Sequence, residues 1–138
     1  MPTAFEIDVA RRLVVCRCWG VLTSEELVAH YRALSSDPAF DPTFSQLADL
    51  REVTAYDVDT HALASQTLVA TFAPSARRAL VASSDVGFGL SRMYGSYAQS
   101  AAHNLEVFRA IDEAERWLGI RSRAHGDADA PGSVASRE

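Results

Sequence analysis

Four histidines, two cysteines and a scatter of acids and arginines are the side chains of this sequence most able to do chemistry. Their spacing keeps them apart. His30, His61, His103 and His125 form no recognised metal-binding motif with another His, Cys or carboxylate. His30 reads as an ordinary helix residue beside Tyr31, and His61 as a solvated residue at a helix start, where Asp57 and Asp59 favour its imidazolium form. Cys16 and Cys18 stand two apart, so an extended strand points both thiols to one face. They are too few and too close for a disulfide framework or a four-ligand zinc site, and read as reduced, buried strand residues rather than a thiol sensor or soft-metal pair. No metal site and no cofactor is expected.

There is no G-x-S-x-G elbow for acyl transfer and no phosphate-binding G-x-x-x-x-G-K-[ST] loop. All 13 basic residues are arginine, which removes Schiff-base chemistry. Gly87-Phe88-Gly89 reads as a strand-to-helix turn; position 92, where a dinucleotide fingerprint has its third glycine, is Arg. An enzyme would need Asp49, Arg51, Ser84 and Arg109, each expected at a strand end, to converge in one cleft. Without a recognisable catalytic set, the chain reads as a non-enzyme. Ser84, Met93, Tyr94, Tyr97 and Arg109 are instead the candidates for lining an apolar ligand pocket, Met93, Tyr94 and Tyr97 forming one stripe of a helix.

The elements that must position these residues follow from patterning. With 138 residues, 48% of them hydrophobic, the chain has length for one core. Phe5 to Asp8 and Leu13 to Trp19 form an opening hairpin. Thr23-Ser24-Glu25-Glu26 has the capping-box pattern and starts a helix over about 24–36, which Asp37-Pro38 and Asp41-Pro42 end. Phe44 to Leu50 is a central strand and Arg51 to Asp57 a loop. A second helix, capped by Asp57 or Asp59, extends to about Thr71. A strand near Arg77 to Ala82 is followed by a helix over about 88–102, in which Gly95 marks close backbone packing. Leu105 to Phe108 is the last strand and Ile111 to Leu118 the last helix, so that residues 1–120 form one domain and 121–138 a disordered tail. The order ββαβαβαβα implies an α/β domain with mainly parallel pairing through right-handed crossovers.

Gly20-Val21-Leu22-Thr23, Phe44 to Leu50, Arg78-Ala79-Leu80-Val81 and Val107-Phe108-Arg109 leading into Glu113-Ala114-Glu115-Arg116-Trp117-Leu118 together resemble the SpoIIAA-like STAS superfamily, in particular a small bacterial branch of it. The resemblance extends to about residue 119 and implies a superhelix of β/α turns with a mixed, mainly parallel five-stranded sheet and about four helices. Anti-sigma-factor antagonists of this superfamily carry a phosphorylated serine in an Asp-Ser-Ser-Gly-like motif. The corresponding stretch here is Asp57-Val58-Asp59-Thr60-His61, where valine and aspartate replace the serines. Thr54 and Thr60 are the nearby hydroxyls, and Asp59 leaves the surface permanently acidic.

The resemblance implies a non-enzymatic regulatory, signalling or protein-binding domain. Its partner surface would comprise Arg51, Glu52, Thr54, Asp57, Asp59 and Thr60. The alternative is a small-molecule or lipid carrier or sensor with an apolar pocket beside the Met93, Tyr94 and Tyr97 helix. The net charge of −5 disfavours nucleic acid as a partner. No apolar run is long enough to span a membrane and no signal segment starts the chain, which places the protein in the cytoplasm. A homodimer through Trp19 or the first strand edge stays open.

Overall fold

A computed structural model describes residues 2–98 and 104–120. The tail assigned to 121–138, and the end of the helix expected to reach 102, lie outside the described residues. Asp8 and Leu13 close a hairpin between β1 (Thr3–Asp8) and β2 (Leu13–Thr23). Thr23 then caps α1 (Ser24–Ser36) with the reciprocal pattern expected. Its hydroxyl accepts from the Glu26 amide at 3.2 Å, and the Glu26 carboxylate accepts from the Thr23 amide at 3.3 Å.

The chain continues through β3 (Ser45–Asp57), α2 (Thr60–Leu63), α3 (Gln66–Val69), β4 (Arg78–Val81), α4 (Asp85–Ala98), β5 (Leu105–Phe108) and α5 (Ile111–Leu118). The strands lie side by side in chain order, β1 antiparallel to β2 and every later pair parallel. This is the mixed, mainly parallel five-stranded sheet expected. Alternation along each strand divides the core between two faces. Val14, Cys16, Ala48 and Leu80 face α1 to α4, whereas Leu13, Leu47, Ala79 and Val81 face α5.

Three boundaries differ from the sequence expectation. Arg51 to Asp57 is not a loop, because β2 is long enough to carry parallel pairing on to Thr23 opposite Asp57. Two register shifts, between Arg17 and Trp19 and between Gly20 and Val21, each add one residue to β3. They erase the period-two pattern that would have marked it as strand. The single helix expected up to Thr71 is two short ones. Leu63 and Leu68 lie about 140° apart around an unbroken helix, and the break at Ala64 and Ser65 allows both to be buried, at 5% and 0% exposure. The α4 helix starts at Asp85, since the Ser84 hydroxyl accepts from the Gly87 amide at 3.0 Å and the Ser84 carbonyl from the Phe88 amide. Gly87-Phe88-Gly89 is therefore its first turns. The close packing expected at Gly95 is present: a Cβ there would lie 2.9 Å from Leu105 Cδ2.

The helical face is pinned by an arginine. Arg77 and Arg78 are adjacent and so point to opposite faces of β4. Arg77 is exposed over the Trp117 ring, while Arg78 is 2% exposed. The Arg78 Nε donates to Gln46 Oε1 at 2.8 Å, and one terminal nitrogen donates to the hydroxyls of Tyr31 (3.2 Å) and Tyr94 (2.6 Å). The Tyr94 hydroxyl donates in turn to the Leu68 carbonyl, and the Phe72 ring lies 4.7 Å beneath the guanidinium. One side chain thus joins β3, β4, α1, α3 and α4. Arg78→Met is expected to lower unfolding free energy by about 3 kcal/mol, because Gln46 and Tyr31 lose buried partners that methionine cannot replace. Urea denaturation measures it.

Candidate functional site

The small side chains of Cys16, Cys18 and Ala48 line the helical face of β2 and β3, and the Arg78 cluster holds α1 and α4 beside them. Helices propped away from small strand residues leave space. A cavity of about 60 Å³ lies between the sheet and α1, α2 and α4. Its floor is Cys16, Cys18, Ala48 and Leu80; α1 adds Leu27, His30 and Tyr31, and α4 adds Leu90, Ser91 and Tyr94. Leu63 and Leu68 close one wall. Leu22, Leu50, Tyr56 and Val58 close the wall toward the carboxyl ends of β2 and β3. Leu27, Leu50, Tyr56, Val58 and Leu90 are only half-buried and surround the open side.

Burial holds the titratable groups lining this cavity in their neutral forms at neutral pH. It pushes the Cys16 thiol up to about 11 and the Cys18 thiol up to about 12. It lowers His30 to about 4 and raises Tyr56 to about 12. Tyr31 is raised well above its ordinary value, first by burial and next by Tyr94. The thiols are not thiolates and the imidazole is not an acid. Among the described residues no three of His, Cys, Asp and Glu come together to hold a metal. The cavity lining is almost wholly apolar, and an apolar surface interacts by contact and desolvation rather than by charge.

Tyr56 stands out within it. Its hydroxyl is buried and has no hydrogen-bond partner among the described residues. The hydroxyl reaches the first turn of α4, where glycine is required at position 87. A Cβ there would overlap the Tyr56 hydroxyl and lie 3.0 Å from the Ser84 hydroxyl.

The five residues suggested as pocket lining are dispersed around α4. Tyr94 lines the cavity. Ser84 is exposed and caps α4 beside Tyr56. Met93 is 38% exposed, and Tyr97 is half-buried against the core rather than on the cavity wall. Arg109 stacks over Phe88, pairs with Asp85 at 2.9 Å and donates to the Ser83 carbonyl. The six partner-surface residues lie along β3 and the start of α2. Arg51 pairs with Asp49 at 2.8 Å and Glu52 with Arg17 at 2.9 Å. Asp59 is the N-cap of α2, accepting from the Ala62 amide at 2.8 Å, and Thr54, Asp57 and Thr60 are exposed. Sequence reading missed Tyr56, Leu50 and Val58 as lining. Tyr56 fell in a segment taken for loop, where an aromatic residue was the available signal.

The architecture matches a crystal structure of an uncharacterized protein of the DUF3478 family from Shewanella loihica, described as having a SpoIIAA-like fold. The match has a TM-score of 0.55 and 18% identity over 84% of this chain and 93% of that one. The fold is SpoIIAA-like. No protein-family model and no curated protein matches the sequence. Among the described residues, no helix is long and apolar enough to cross a membrane. On this SpoIIAA-like frame the cavity lies on one face of the sheet, beneath the helices that cover it.

His30 supplies a pH test of the site. It is 4% exposed and packs edge-on to Phe5 and Tyr31, with ring centroids 5.6 and 5.3 Å away. Its folded pKa of about 4 lies below the ordinary 6.5, so the unfolded chain takes up the proton first as pH falls. Its contribution is full above about pH 6.5 and is lost between 6.5 and 4, a loss of about 3 kcal/mol. His30→Gln should remove this part of the acid destabilisation, measured by urea unfolding from pH 7 down to about 4.

Proposed function

We propose that this SpoIIAA-like chain is a non-enzymatic regulatory domain that acts by binding a small apolar molecule between its sheet and α1, α2 and α4. The observation that carries the reading is the cavity itself, apolar on nearly every side, open at one side and lined by titratable groups held neutral. A carrier or sensor needs such a space, and a solid core around Tyr94 would have left none. The free, buried Cys16 and Cys18 support a reducing, cytoplasmic setting for it.

Binding to a protein partner is the companion reading, and the geometry connects the two. Tyr56 on the cavity wall precedes exposed Asp57, and Asp59 caps the short α2 helix whose Leu63 is also on the wall. A ligand that displaces Tyr56 or Leu63 therefore moves the Asp57 to Thr60 surface. That surface is acidic without any modification, and Thr54 and Thr60 are its exposed hydroxyls. Ligand state would be read out as the position of this surface.

Native and denaturing mass spectra of protein purified without added ligand test the pocket reading. The expected result is a noncovalent adduct lost on denaturation and diminished in Ala48→Val, which fills the floor with a residue suited to a strand. Protein at the bare sequence mass that also fails to bind added medium-chain apolar compounds would leave the protein-binding reading alone.

A further inference from the structure

We infer that β1 is a self-association edge: two copies of this chain pair their β1 strands antiparallel about Phe5 and join their sheets into one continuous sheet. The inference goes beyond the pocket reading and does not depend on it. The pairing of β1 with β2 settles which way its backbone faces. The register that sets Thr3 opposite Cys18 and Asp8 opposite Leu13 continues to Trp19, whose amide donates to the Pro2 carbonyl at 2.9 Å. In an antiparallel pair, hydrogen-bonded positions alternate with non-bonded ones. Ala4, Glu6 and Asp8 therefore turn their amides and carbonyls toward β2, and Thr3, Phe5 and Ile7 turn theirs to the outer edge. Among the described residues no other strand pairs with that edge.

Sheet edges are commonly blunted by basic side chains, an outward proline, a bulge or a very short strand. The opposite edge, β5, is only four residues long. By contrast β1 has six residues, none of them basic, and pairs with β2 without a register shift. Pro2 blocks nothing, because its backbone is turned inward to Trp19.

The strand is complementary to itself in one register. A two-fold axis through Phe5 sets Thr3 opposite Ile7 of the second copy and Phe5 opposite its own mate, so every outward amide and carbonyl of these three residues finds a partner. Phe5 and Ile7, half-buried at the margin of the core, are covered further by their mates. On the other face exposed Ala4 meets exposed Glu6, and no acid stands opposite an acid. Sliding the pairing two residues one way sets Glu6 directly opposite Glu6, which like charges disfavour. Sliding it the other way leaves Ile7 beyond the end of the partner strand.

Sedimentation velocity over a dilution series and disulfide trapping, both on the full chain, test this. Wild type should sediment as a dimer that dissociates on dilution. Thr3→Pro removes an outward amide and no bond to β2, so it should keep the far-ultraviolet circular dichroism spectrum and weaken the dimer about tenfold or more. The double substitution Ala4→Cys/Glu6→Cys puts thiols at opposed non-bonded positions, whose Cα atoms lie about 4.5 Å apart, and mild oxidation should trap a covalent dimer. Neither single substitution should be trapped, because each position lies diagonal to its own mate, about 7–8 Å away. A wild type that is monomeric at every concentration would overturn the inference, as would a dimer that Thr3→Pro leaves intact or that the double substitution does not trap. Trapping of a single variant would overturn this register. Each of these results leaves the pocket reading untouched.

Discussion

A buried guanidinium with no carboxylate partner among the described residues is the constraint around which the helical half of this protein is organised. Arginine cannot shed its proton to ease its burial, so Arg78 needs partners on every side. It finds them in neutral oxygens and aromatic faces: Gln46, Tyr31 and Tyr94 accept its hydrogen bonds, and Phe72 lies beneath it. Each partner comes from a different part of the chain. The directional demands of these bonds fix where α1 and α4 sit over the sheet, which apolar contact alone would leave free to slide. The two short helices belong to the same arrangement, because the Leu68 carbonyl of α3 accepts from Tyr94.

Fixing the helices in this way is also what keeps a cavity open. An apolar interior with small strand residues would ordinarily collapse until its side chains interdigitated. Here Tyr31 and Tyr94 stand as props between the sheet and the helices, held at their tips by Arg78, and the neighbouring floor is only thiols and the methyl of Ala48. The void is the space the props leave beside them. Its chemistry follows from the same geometry: the hydroxyls of Tyr31 and Tyr94 are engaged by Arg78, and burial keeps Cys16, Cys18, His30 and Tyr56 neutral.

Much of the fold was legible because its signals are local. The Thr23 and Glu26 capping box, the prolines after α1, the hairpin and the amphipathic α5 each announce themselves within a few residues, and alternation of strand and helix then implies parallel pairing. The site was far less legible. Tyr56 lies beyond two register shifts that scramble strand periodicity, so its segment read as loop and its side chain had no assigned face. Arg78 looked like one of two adjacent arginines on a short strand. Nothing in Arg77-Arg78 says which is buried. That is decided by Gln46 and Tyr31, 32 and 47 residues away, and a sequence read without its contacts does not contain that pairing. Tyr94 was legible as part of an aromatic stripe, but adjacent Met93 lies about 100° round the helix and is exposed, while Tyr97, one turn on, packs against the core without lining the cavity.

The two faces of the sheet show why the pocket occurs on one of them. On the opposite face, α5 covers Leu47, Ala79 and Val81 through Ala114 and Leu118 and leaves β1 and much of β2 uncovered. That area is finished with charge instead of helix: Arg17 lies over Trp19 and pairs with Glu52, and Arg51 pairs with Asp49. Arginine stems and ion pairs shield the sheet there without requiring another layer. The helical face has the reverse problem, an excess of cover over small residues. Four helices converge where the strand side chains are Cys16, Cys18 and Ala48, and the chain contributes no bulky residue to fill the difference. Larger residues on β2 and β3 would close this space at no evident expense to the sheet, whose outer edges already carry Phe5 and Leu105. The space is therefore set by the small residues of β2 and β3 beneath the helices that the Arg78 cluster holds in place.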